Sequence, residues 1–562
     1  MAGLGMRQPT LGAAMASLTA IPDEAVEHGE VFTRRWIVDL ILDVAGYRPE
    51  LDLASLTAVE PACGTGAFLG PMVARLSASC RQHGQSLSGA ANAIRAYDLL
   101  ARNVEASRRL VEKVLLDDGW PSEDALAAAD AWVQQGDYLL DPCDDETVDF
   151  VLGNPPYIRL EDVPSDRMAA YRAACSVMVG RADVYVGFFE VGLRSLRQGG
   201  VLGFICADRW MRNQYGRQLR QLISDGYSVD ATITMHDVDA FEEQVSAYPA
   251  ISILRRAEQG AAVVADTSGS FGPRDAAAVL AWMRQETAAP VVSDSYEIAR
   301  LPHWFAGLDS WPAGSPARLA LIEDLNDRFP LLEDEATGTR VGIGVATGAD
   351  GVFVTTGAEV EPDRLLPLSM VKDTLSGHLN WSGHYLVNPW DSSGRLVDLD
   401  AHPRLRAYFG QHAAALKKRH VAGKQPANWY RTIDKVDHML TGRAKLLFPD
   451  MKLTIHPVLD EGHLYPHHNL YYIVSDAWDL RVLGGLLLSA VAQAFIEAYA
   501  VKMRGGTLRF QAQYLRRIRV PRFETISERD RALLSDAFDR RDRAAATRIA
   551  ERVYGIEQRL PI

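Results

Sequence analysis

The sequence contains few cysteines and no long apolar run. Five cysteines occur among 562 residues, without CxxC spacing, so neither a disulfide framework nor a zinc ribbon is expected. The histidines, including the pair His467-His468, show no metal-site spacing along the chain, and we expect no metal. No run reaches the roughly 18 apolar residues needed to cross a membrane, and no signal sequence is recognisable. The sequence therefore predicts a protein of the reducing cytoplasm without a membrane partner.

Two catalytic motifs are also absent. The chain has no G-K-[ST] phosphate loop, and it has no E-x-K triplet of the kind found in common nuclease cores.

The formal net charge is -13, so a nucleic-acid partner requires basic residues concentrated on one face. The length and the 48% hydrophobic content suffice for at least two cores.

The most informative motif that is present is Asn154-Pro155-Pro156-Tyr157, which follows an apolar stretch predicted to be a buried strand. The side-chain carbonyl of Asn154 and a backbone carbonyl near Pro155 can both accept from one amino group, and Tyr157 offers a flat face for a base. The two prolines stiffen the loop. The motif predicts methylation of an exocyclic amino group, although a proline-rich turn after a strand would look the same in isolation.

A glycine turn precedes this motif. A strand predicted over 56–59 runs into Glu60, and Ala62, Gly64 and Gly66 follow in a turn that opens a helix. Glycines permit close backbone approach to a ligand, as in doubly wound nucleotide-binding sheets. The turn lacks the third glycine of the dinucleotide fingerprint, and Glu60 would repel phosphate but suit a cation. S-adenosylmethionine, which carries sulfonium and ammonium charges, fits this pattern.

Two further acidic residues are placed at predicted strand ends. Asp98 closes a second strand and is the candidate for the ribose hydroxyls of the cofactor. Asp137 follows an alanine-rich helix, at the expected end of a third strand, and is the candidate for the cofactor's adenine amino group. Each acid alone is compatible with a solvated loop. Together they form a series at the carboxyl edge of one sheet, where open α/β folds bind ligands.

With these motifs the chain resembles the N6-adenine DNA methyltransferases of bacterial type II restriction-modification systems, in the gamma arrangement typified by the TaqI modification enzyme. The resemblance implies that Thr33 lies near the methionine part of the cofactor and that Phe188, or alternatively Phe189, covers the cofactor adenine. It also implies that Phe241 stacks on the flipped base opposite Tyr157.

The resemblance implies an α/β fold with two main parts. A Rossmann-like S-adenosylmethionine-dependent methyltransferase domain is expected over 1–257, and a mixed α/β target-recognition domain over 336–562. The stretch 258–335 is irregular in sequence and is predicted to be a connecting segment.

The carboxyl half contains two basic segments that are candidates for DNA contact. Residues 414–452 hold nine Lys/Arg against three acids, and residues 502–522 hold seven and none. Such runs favour phosphate binding, although a charged run is more often a solvated face. The candidates are Lys417, Lys418, Arg419, Trp429, Arg504, Arg509, Arg516 and Arg517.

The implied reaction is methyl transfer from S-adenosylmethionine to adenine N6 of double-stranded DNA by base flipping, which would protect that DNA from a separate restriction endonuclease. Methyl transfer to RNA or to a protein glutamine also uses this loop chemistry. A catalytically decayed DNA-binding subunit is the non-enzymatic alternative.

Overall fold

The computed structural model describes residues 31–141, 145–242, 248–500 and 507–556. The chain divides into two compact units, Met1–Pro316 (unit 1) and Ala317–Ile562 (unit 2).

Unit 1 is built on a ten-stranded sheet with the strand order β3-β2-β1-β4-β5-β7-β6-β8-β10-β9. The first five strands of this order are parallel to one another, and β7 is antiparallel to its neighbours β5 and β6. The order reverses at β1, so a crevice is expected at the carboxyl ends of β1 and β4. The strands are β1 (Ala58–Glu60), β2 (Ile94–Asp98), β3 (Val133–Gln135), β4 (Val148–Gly153), β5 (Leu196–Ala207), β6 (Ser228–Thr234), β7 (Pro249–Arg255), β8 (Ala262–Thr267), β9 (Val291–Val292) and β10 (Tyr296–Leu301).

Helices link these strands and cover the sheet. Helix α1 buries Ile37, Val38 and Ile41, whose three- and four-residue spacing forms one apolar face, and it ends at Gly46 in the left-handed region. All six residues of β4 are buried, as expected for a central parallel strand. The helices are α1 (Arg35–Ala45), α2 (Leu69–His83), α3 (Ala101–Asp117), α4 (Ser122–Trp132), α5 (Ser165–Ala174), α6 (Tyr185–Ser195), α7 (Arg217–Gly226) and α8 (Pro273–Met283).

Most of residues 258–335, predicted to be an irregular connecting segment, instead forms strands and a helix of unit 1. Strand β8 pairs in parallel with β6, and β10 pairs with β8 along six residues, so this stretch extends the sheet of unit 1. Trp304 and Trp311 are buried, and the ring of Trp311 packs on that of Trp210. Only the end of the stretch lies in unit 2. Short strands separated by glycine- and proline-containing turns have a weak periodic pattern, which explains why the sequence reads as irregular.

Unit 2 contains two four-stranded sheets, with orders β11-β19-β15-β17 and β12-β14-β13-β18, and a two-stranded pair of β16 with β20. The strands are β11 (Arg340–Ile343), β12 (Val354–Thr355), β13 (Leu365–Ser369), β14 (Tyr385–Val387), β15 (Lys445–Pro449), β16 (Met451–Lys452), β17 (Val458–Asp460), β18 (Tyr465–Pro466), β19 (Leu470–Val474) and β20 (Leu508–Arg509).

The helices of unit 2 are α9 (Pro316–Arg328), α10 (Asp350–Phe353), α11 (Pro403–Gln411), α12 (Ala413–Lys417), α13 (His420–Lys424), α14 (His438–Thr441), α15 (Leu480–Leu488), α16 (Ala490–Tyr499), α17 (Ala512–Leu515), α18 (Glu528–Asp539) and α19 (Arg543–Tyr554). Helices α15 and α16 contribute much of the larger apolar core. Over the described ranges no single helix has the length and apolar character to cross a membrane. The consecutive pair α15 and α16 meets that test by length and composition, with a bend of 65° between them.

Candidate functional site

A cavity of about 370 Å³ opens at the carboxyl ends of the parallel strands of unit 1. This volume lies in the range of small-molecule and cofactor sites. The strand ends of β1, β2, β3 and β4 each contribute residues to the cavity wall, which is the arrangement expected for an open α/β sheet. Of the residues singled out from the sequence, the cavity is lined by Thr33, Glu60, Ala62, Gly64, Asp98, Asp137, Asn154, Pro155, Pro156, Tyr157 and Phe188.

The glycine turn after β1 is held by its neighbours. The backbone N–H of Gly64 donates to Asp98 Oδ2 at 2.8 Å, and the Ser107 hydroxyl donates to the Gly64 carbonyl at 2.9 Å. Gly64 lies at φ +53° and Gly66 at φ +99°, a region that side chains rarely adopt. A Cβ on Gly66 would stand 2.4 Å from Leu110 Cδ2. Gly64 borders the cavity, whereas Gly66 allows helix α3 to pack closely.

Glu60 is a buried carboxylate at the end of β1, with 2% of its surface exposed. Its Oε2 has no hydrogen-bond partner among the described residues. Burial, and secondly the negative charge of Asp98, raise the pKa of this carboxyl well above its ordinary value. An ionised carboxylate in this position is costly without a counter-charge. A cationic ligand in the cavity would supply that counter-charge.

Asp98 and Asp137 line the cavity, and both already accept hydrogen bonds from other groups of the protein. Asp98 accepts from Gly64 through one oxygen and from the Leu100 backbone N–H, at 2.9 Å, through the other. Asp137 accepts from the Tyr171 hydroxyl at 2.9 Å and from the Leu139 backbone N–H at 3.2 Å. Because each carboxylate oxygen has two lone pairs, these bonds orient the acids and leave acceptor capacity for a ligand.

Burial raises the pKa of Asp137, and this effect outweighs the opposing influence of Arg167, whose Nε lies 3.7 Å from Asp137 Oδ2. Arg167 and Tyr171 both belong to α5 and line the cavity. The sequence reading missed them, since they lie on a helix with no motif of its own. Their position shortly after the Asn154 loop is the signal that could have identified them.

Phe188 and Phe189 have different surroundings although they are adjacent on α6. Phe188 lines the cavity, and its ring stacks on that of Tyr138 with centroids 5.9 Å apart and an angle of 27°. Phe189 is fully buried and packs against Phe204 and other aromatic rings. Phe188 is therefore the one of the two that can cover a planar ligand.

Asn154 is held by its amide nitrogen. Nδ2 donates to the Val31 carbonyl at 2.9 Å and to Thr33 Oγ1 at 3.2 Å. The Oδ1 atom is buried and has no partner in the described ranges of the chain. The two donated bonds fix which way the amide faces, so the free carbonyl oxygen can accept from an amino group.

Tyr157 is half-buried, and its hydroxyl is buried without a partner in the part of the protein that the structure describes. Burial raises the pKa of this phenol, so it remains neutral. Phe241 contacts the ring of Tyr157 edge to face, with centroids 6.2 Å apart and an angle of 81°. Phe241 is 4% exposed and belongs to the apolar core.

The segment of Thr33 and that of Phe241 are joined by backbone bonds. Thr33 and Phe241 form an antiparallel bridge, the Arg34 N–H donates to the Ala240 carbonyl, and the Glu242 N–H donates to the Phe32 carbonyl. The segment around Thr33 thus bonds to the amide of Asn154 and to the backbone beside Phe241, which packs on Tyr157.

Several of the predicted DNA contacts of unit 2 have other roles in the structure. The guanidinium of Arg419 donates to the backbone carbonyls of Leu416, Thr347, Trp429 and Arg431, so it connects its own loop to the distant turn at Thr347. Burial and the nearby Arg431 lower its pKa. These contacts use four of the five N–H donors of the guanidinium, so at most one donor is left for a phosphate.

The later basic segment shows the same behaviour. Arg509 pairs with Asp450 at 2.6 Å and Arg516 with Glu333 at 2.8 Å. Arg517 is half-exposed, and Arg504 lies outside the described residues. In the first segment Lys417 and Lys418 are exposed, and Lys417 Nζ lies 5.1 Å from the ring centre of Trp429. The two lysines and Trp429 are compatible with a nucleic-acid surface.

Known proteins resemble this chain over most of its length. Residues 74–241 match the family model described as Eco57I restriction-modification methylase. The chain is 43% identical over 550 residues to the type II methyltransferase M.PaeR7I of Pseudomonas aeruginosa, which covers 96% of this chain and 94% of that protein. It is 39% identical over 544 residues to the type II methyltransferase M.XhoI of Xanthomonas vasicola, covering 96% and 98%.

Among solved structures, the type IIL restriction-modification enzyme MmeI in complex with DNA aligns with a TM-score of 0.55 at 11% identity. The alignment covers 93% of this chain and 74% of that chain. At this identity the likeness concerns the fold, and it agrees with the α/β architecture predicted from the sequence.

Proposed function

The chain belongs to the type II methyltransferases of restriction-modification systems, and we propose that it transfers a methyl group from S-adenosylmethionine to adenine N6 in double-stranded DNA. The observation that carries the proposal is the buried Oδ1 of Asn154 beside the cavity, which has no partner among the described residues, while Nδ2 is bonded to Val31 and Thr33.

The cavity suits S-adenosylmethionine chemically. Glu60 would face a positive charge of the cofactor, Asp98 would accept from its ribose hydroxyls, and Asp137 from its adenine amino group. Phe188 and Tyr138 would cover the adenine ring. Thr33, Ala62 and Gly64 would border the methionine part. When bound, the cofactor supplies an electrophilic methyl group on its sulfonium.

The residues of the loop would act on the substrate amino group. The lone pair of adenine N6 is delocalised into the ring, so the nitrogen is a poor nucleophile. Asn154 Oδ1 and the Pro155 carbonyl would each accept one amino hydrogen, which favours a tetrahedral nitrogen and stabilises the positive charge that develops on it. Pro156 would keep the loop rigid. As the nitrogen takes the methyl group, the two carbonyl oxygens would stabilise its positive charge until one amino proton is released to solvent water.

Access to N6 requires that the base leave the helix, at a cost of a few kcal/mol that pocket contacts offset. Tyr157 would stack on the extruded base. Phe241, whose ring meets that of Tyr157 edge to face, would be the second stacking residue. A base between two faces would require Phe241 to separate from Tyr157.

Unit 2 would carry the recognition of double-stranded DNA, with Lys417, Lys418 and Trp429 as contact candidates. As a modification enzyme, the protein would act beside a separate restriction endonuclease. We also assign it to the cytoplasm, since Cys63, Cys80, Cys175 and Cys206 are buried free thiols.

The proposal is tested by incubating the full chain with labelled S-adenosylmethionine and mixed genomic DNA, followed by nucleoside analysis. N6-methyladenine is the expected product. Label on cytosine would contradict the adenine assignment. Label found instead on RNA or on a protein glutamine would show that the substrate belongs to another class. Cofactor binding without any transfer would favour a decayed DNA-binding subunit.

A further inference from the structure

Asp350, His467 and His468 bring three possible metal-ligand groups together in unit 2. One donor atom from each residue lies within 4.8 Å of the other two, and His467 Nε2 is 3.0 Å from Asp350 Oδ2. Asp350 and His467 are 117 residues apart in the chain. The expectation of no metal rested on spacing along the chain, which cannot reveal a cluster assembled by the fold.

The backbone holds the two segments of this cluster in register. Val345 bridges His467, the Val345 N–H donates to the Pro466 carbonyl at 2.9 Å, and the His468 N–H donates to the Val345 carbonyl at 3.1 Å. A Cβ on Gly344 would stand 2.2 Å from the His467 carbonyl oxygen, so glycine is required for this close approach. The donors are therefore positioned by backbone contacts that do not depend on the side chains themselves.

The carboxylate of Asp350 is oriented by its own turn. The Thr347 hydroxyl donates to Asp350 Oδ1, and the Ala349 N–H donates to Thr347 Oγ1 at 3.1 Å. This arrangement leaves Oδ2 facing His467. The Asp350 side chain is 46% exposed, so an ion can reach the cluster from solvent.

The imidazoles have buried nitrogens that lack partners. The His467 side chain is 2% exposed, and its ring centroid lies 4.1 Å from that of His468. Within the described part of the chain, Nδ1 of His467 and Nδ1 of His468 have no hydrogen-bond partner. Buried polar atoms are nearly always satisfied, and an unsatisfied one can indicate an ion or water.

We propose that Asp350, His467 and His468 bind a divalent transition-metal ion of the zinc class. Two imidazoles and one carboxylate form a ligand set that suits Zn²⁺, Co²⁺ or Ni²⁺ and is poor for Mg²⁺ or Ca²⁺, which prefer oxygen ligands. Water would complete the coordination. The ion would fasten the turn of residues 347–350 to the turn between β18 and β19. This site belongs to unit 2 and is independent of the proposed methyl transfer.

The test uses the full chain without a polyhistidine tag, stripped with a chelator and then titrated with Zn²⁺ by calorimetry and with Co²⁺ by visible absorption. One saturable site per chain and a rise in Tm on adding Zn²⁺ are expected. Asp350→Asn and His468→Asn should each weaken Zn²⁺ binding at least about tenfold, since even second-sphere changes at metal sites cost 10–100-fold.

His463→Gln is the matched control, because His463 is an exposed histidine close to β18 in the chain and should bind Zn²⁺ as the wild type does. Asp350→Asn changes a half-exposed side chain, so its effect is readable even if the His468 variant folds poorly. Absence of saturable binding by the wild type, or unchanged binding by Asp350→Asn, would overturn the proposal. Neither outcome would bear on methyl transfer.

Discussion

The side-chain nitrogen of Asn154 donates to the backbone carbonyl of Val31 at 2.9 Å, across a chain separation of 123 residues. Together with the bond to Thr33 Oγ1, this contact fixes the amide so that its carbonyl oxygen remains available. The segment before α1 therefore has a role in orienting the acceptor of the loop after β4.

Thr33→Val should lower the single-turnover rate of methyl transfer about fivefold to tenfold, because one neutral hydrogen bond contributes about 1 kcal/mol to holding the amide. Thr33→Ser keeps the hydroxyl and should restore most of the rate. Rapid-quench kinetics at saturating cofactor measures both variants and separates this role from cofactor binding. Equal rates for the valine and serine variants would contradict the positioning role.

Glu60→Gln should change the pH dependence of stability. The folded-state pKa of Glu60 is raised above 4.5 by burial and by Asp98, so its ionisation opposes folding. The stability contributed by the protonated carboxyl is fully present below the ordinary pKa of 4.5. It is lost as the pH rises through the raised pKa of the folded state. In the cofactor-free protein at neutral pH, Glu60→Gln should therefore raise Tm by at least about 2 °C. The gain should disappear below pH 4.5.

The same variant should lose most of the Tm increase that S-adenosylmethionine gives the wild type, because it lacks the counter-charge for a cation. Differential scanning fluorimetry between pH 4 and pH 8, with and without cofactor, measures both effects. Identical pH profiles for the two proteins would contradict the assignment of Glu60 as a strained buried acid.

Gly66→Ala should be more destabilising than Gly46→Ala, although both positions have positive φ. A Cβ on Gly66 meets Leu110 Cδ2 at 2.4 Å, whereas a Cβ on Gly46 meets nothing within 4 Å. Because Leu110 Cδ2 is the end of a flexible side chain that can shift, the overpacking should cost about 1 kcal/mol beyond the backbone strain that the two variants share. Urea unfolding measures the difference, and Leu110→Ala in the Gly66→Ala background should recover part of it. Equal losses for both glycines would contradict this packing role.

Lys418→Ala should change the salt dependence of DNA binding, whereas Arg419→Ala should change thermal stability. If Lys418 contacts a phosphate, its loss should make the plot of log DNA-binding constant against log salt concentration less steep by about 0.9, with little change in thermal stability. Arg419 braces four backbone carbonyls, so its removal should lower Tm instead. Fluorescence anisotropy on a DNA duplex at several salt concentrations, with thermal unfolding, distinguishes the two. An unchanged salt slope for Lys418→Ala would remove this lysine from the DNA surface.

Much of the cavity could be predicted from the sequence, because the ends of parallel strands meet at one edge of a sheet. Glu60, Asp98, Asp137 and the Asn154 loop each follow a strand-like stretch, and all of them line the cavity. The choice of Phe188 over Phe189 came from the resemblance to a family, since both residues lie on one apolar helix.

The features that the sequence did not reveal depend on contacts between distant segments. The bonds from Asn154 to the segment before α1 span more than a hundred residues, and the partners of Arg419, Arg509 and Arg516 are set by the fold. A basic run does not show which of its members are paired internally. Likewise, the short strands β8 to β10 gain their stability from pairing with the sheet, so local pattern alone did not identify them.

The central claim is that Asn154 acts on the substrate through its free carbonyl oxygen. Its most direct test is the single-turnover rate of methyl transfer by Asn154→Ala, with the dissociation constant of S-adenosylmethionine measured on the same preparation. Loss of one preorganised polar contact to the developing charge should lower the rate by about 10²–10³-fold, while the cofactor dissociation constant stays within about twofold. A rate within tenfold of the wild type, or a loss of rate explained by lost cofactor binding, would contradict the claim.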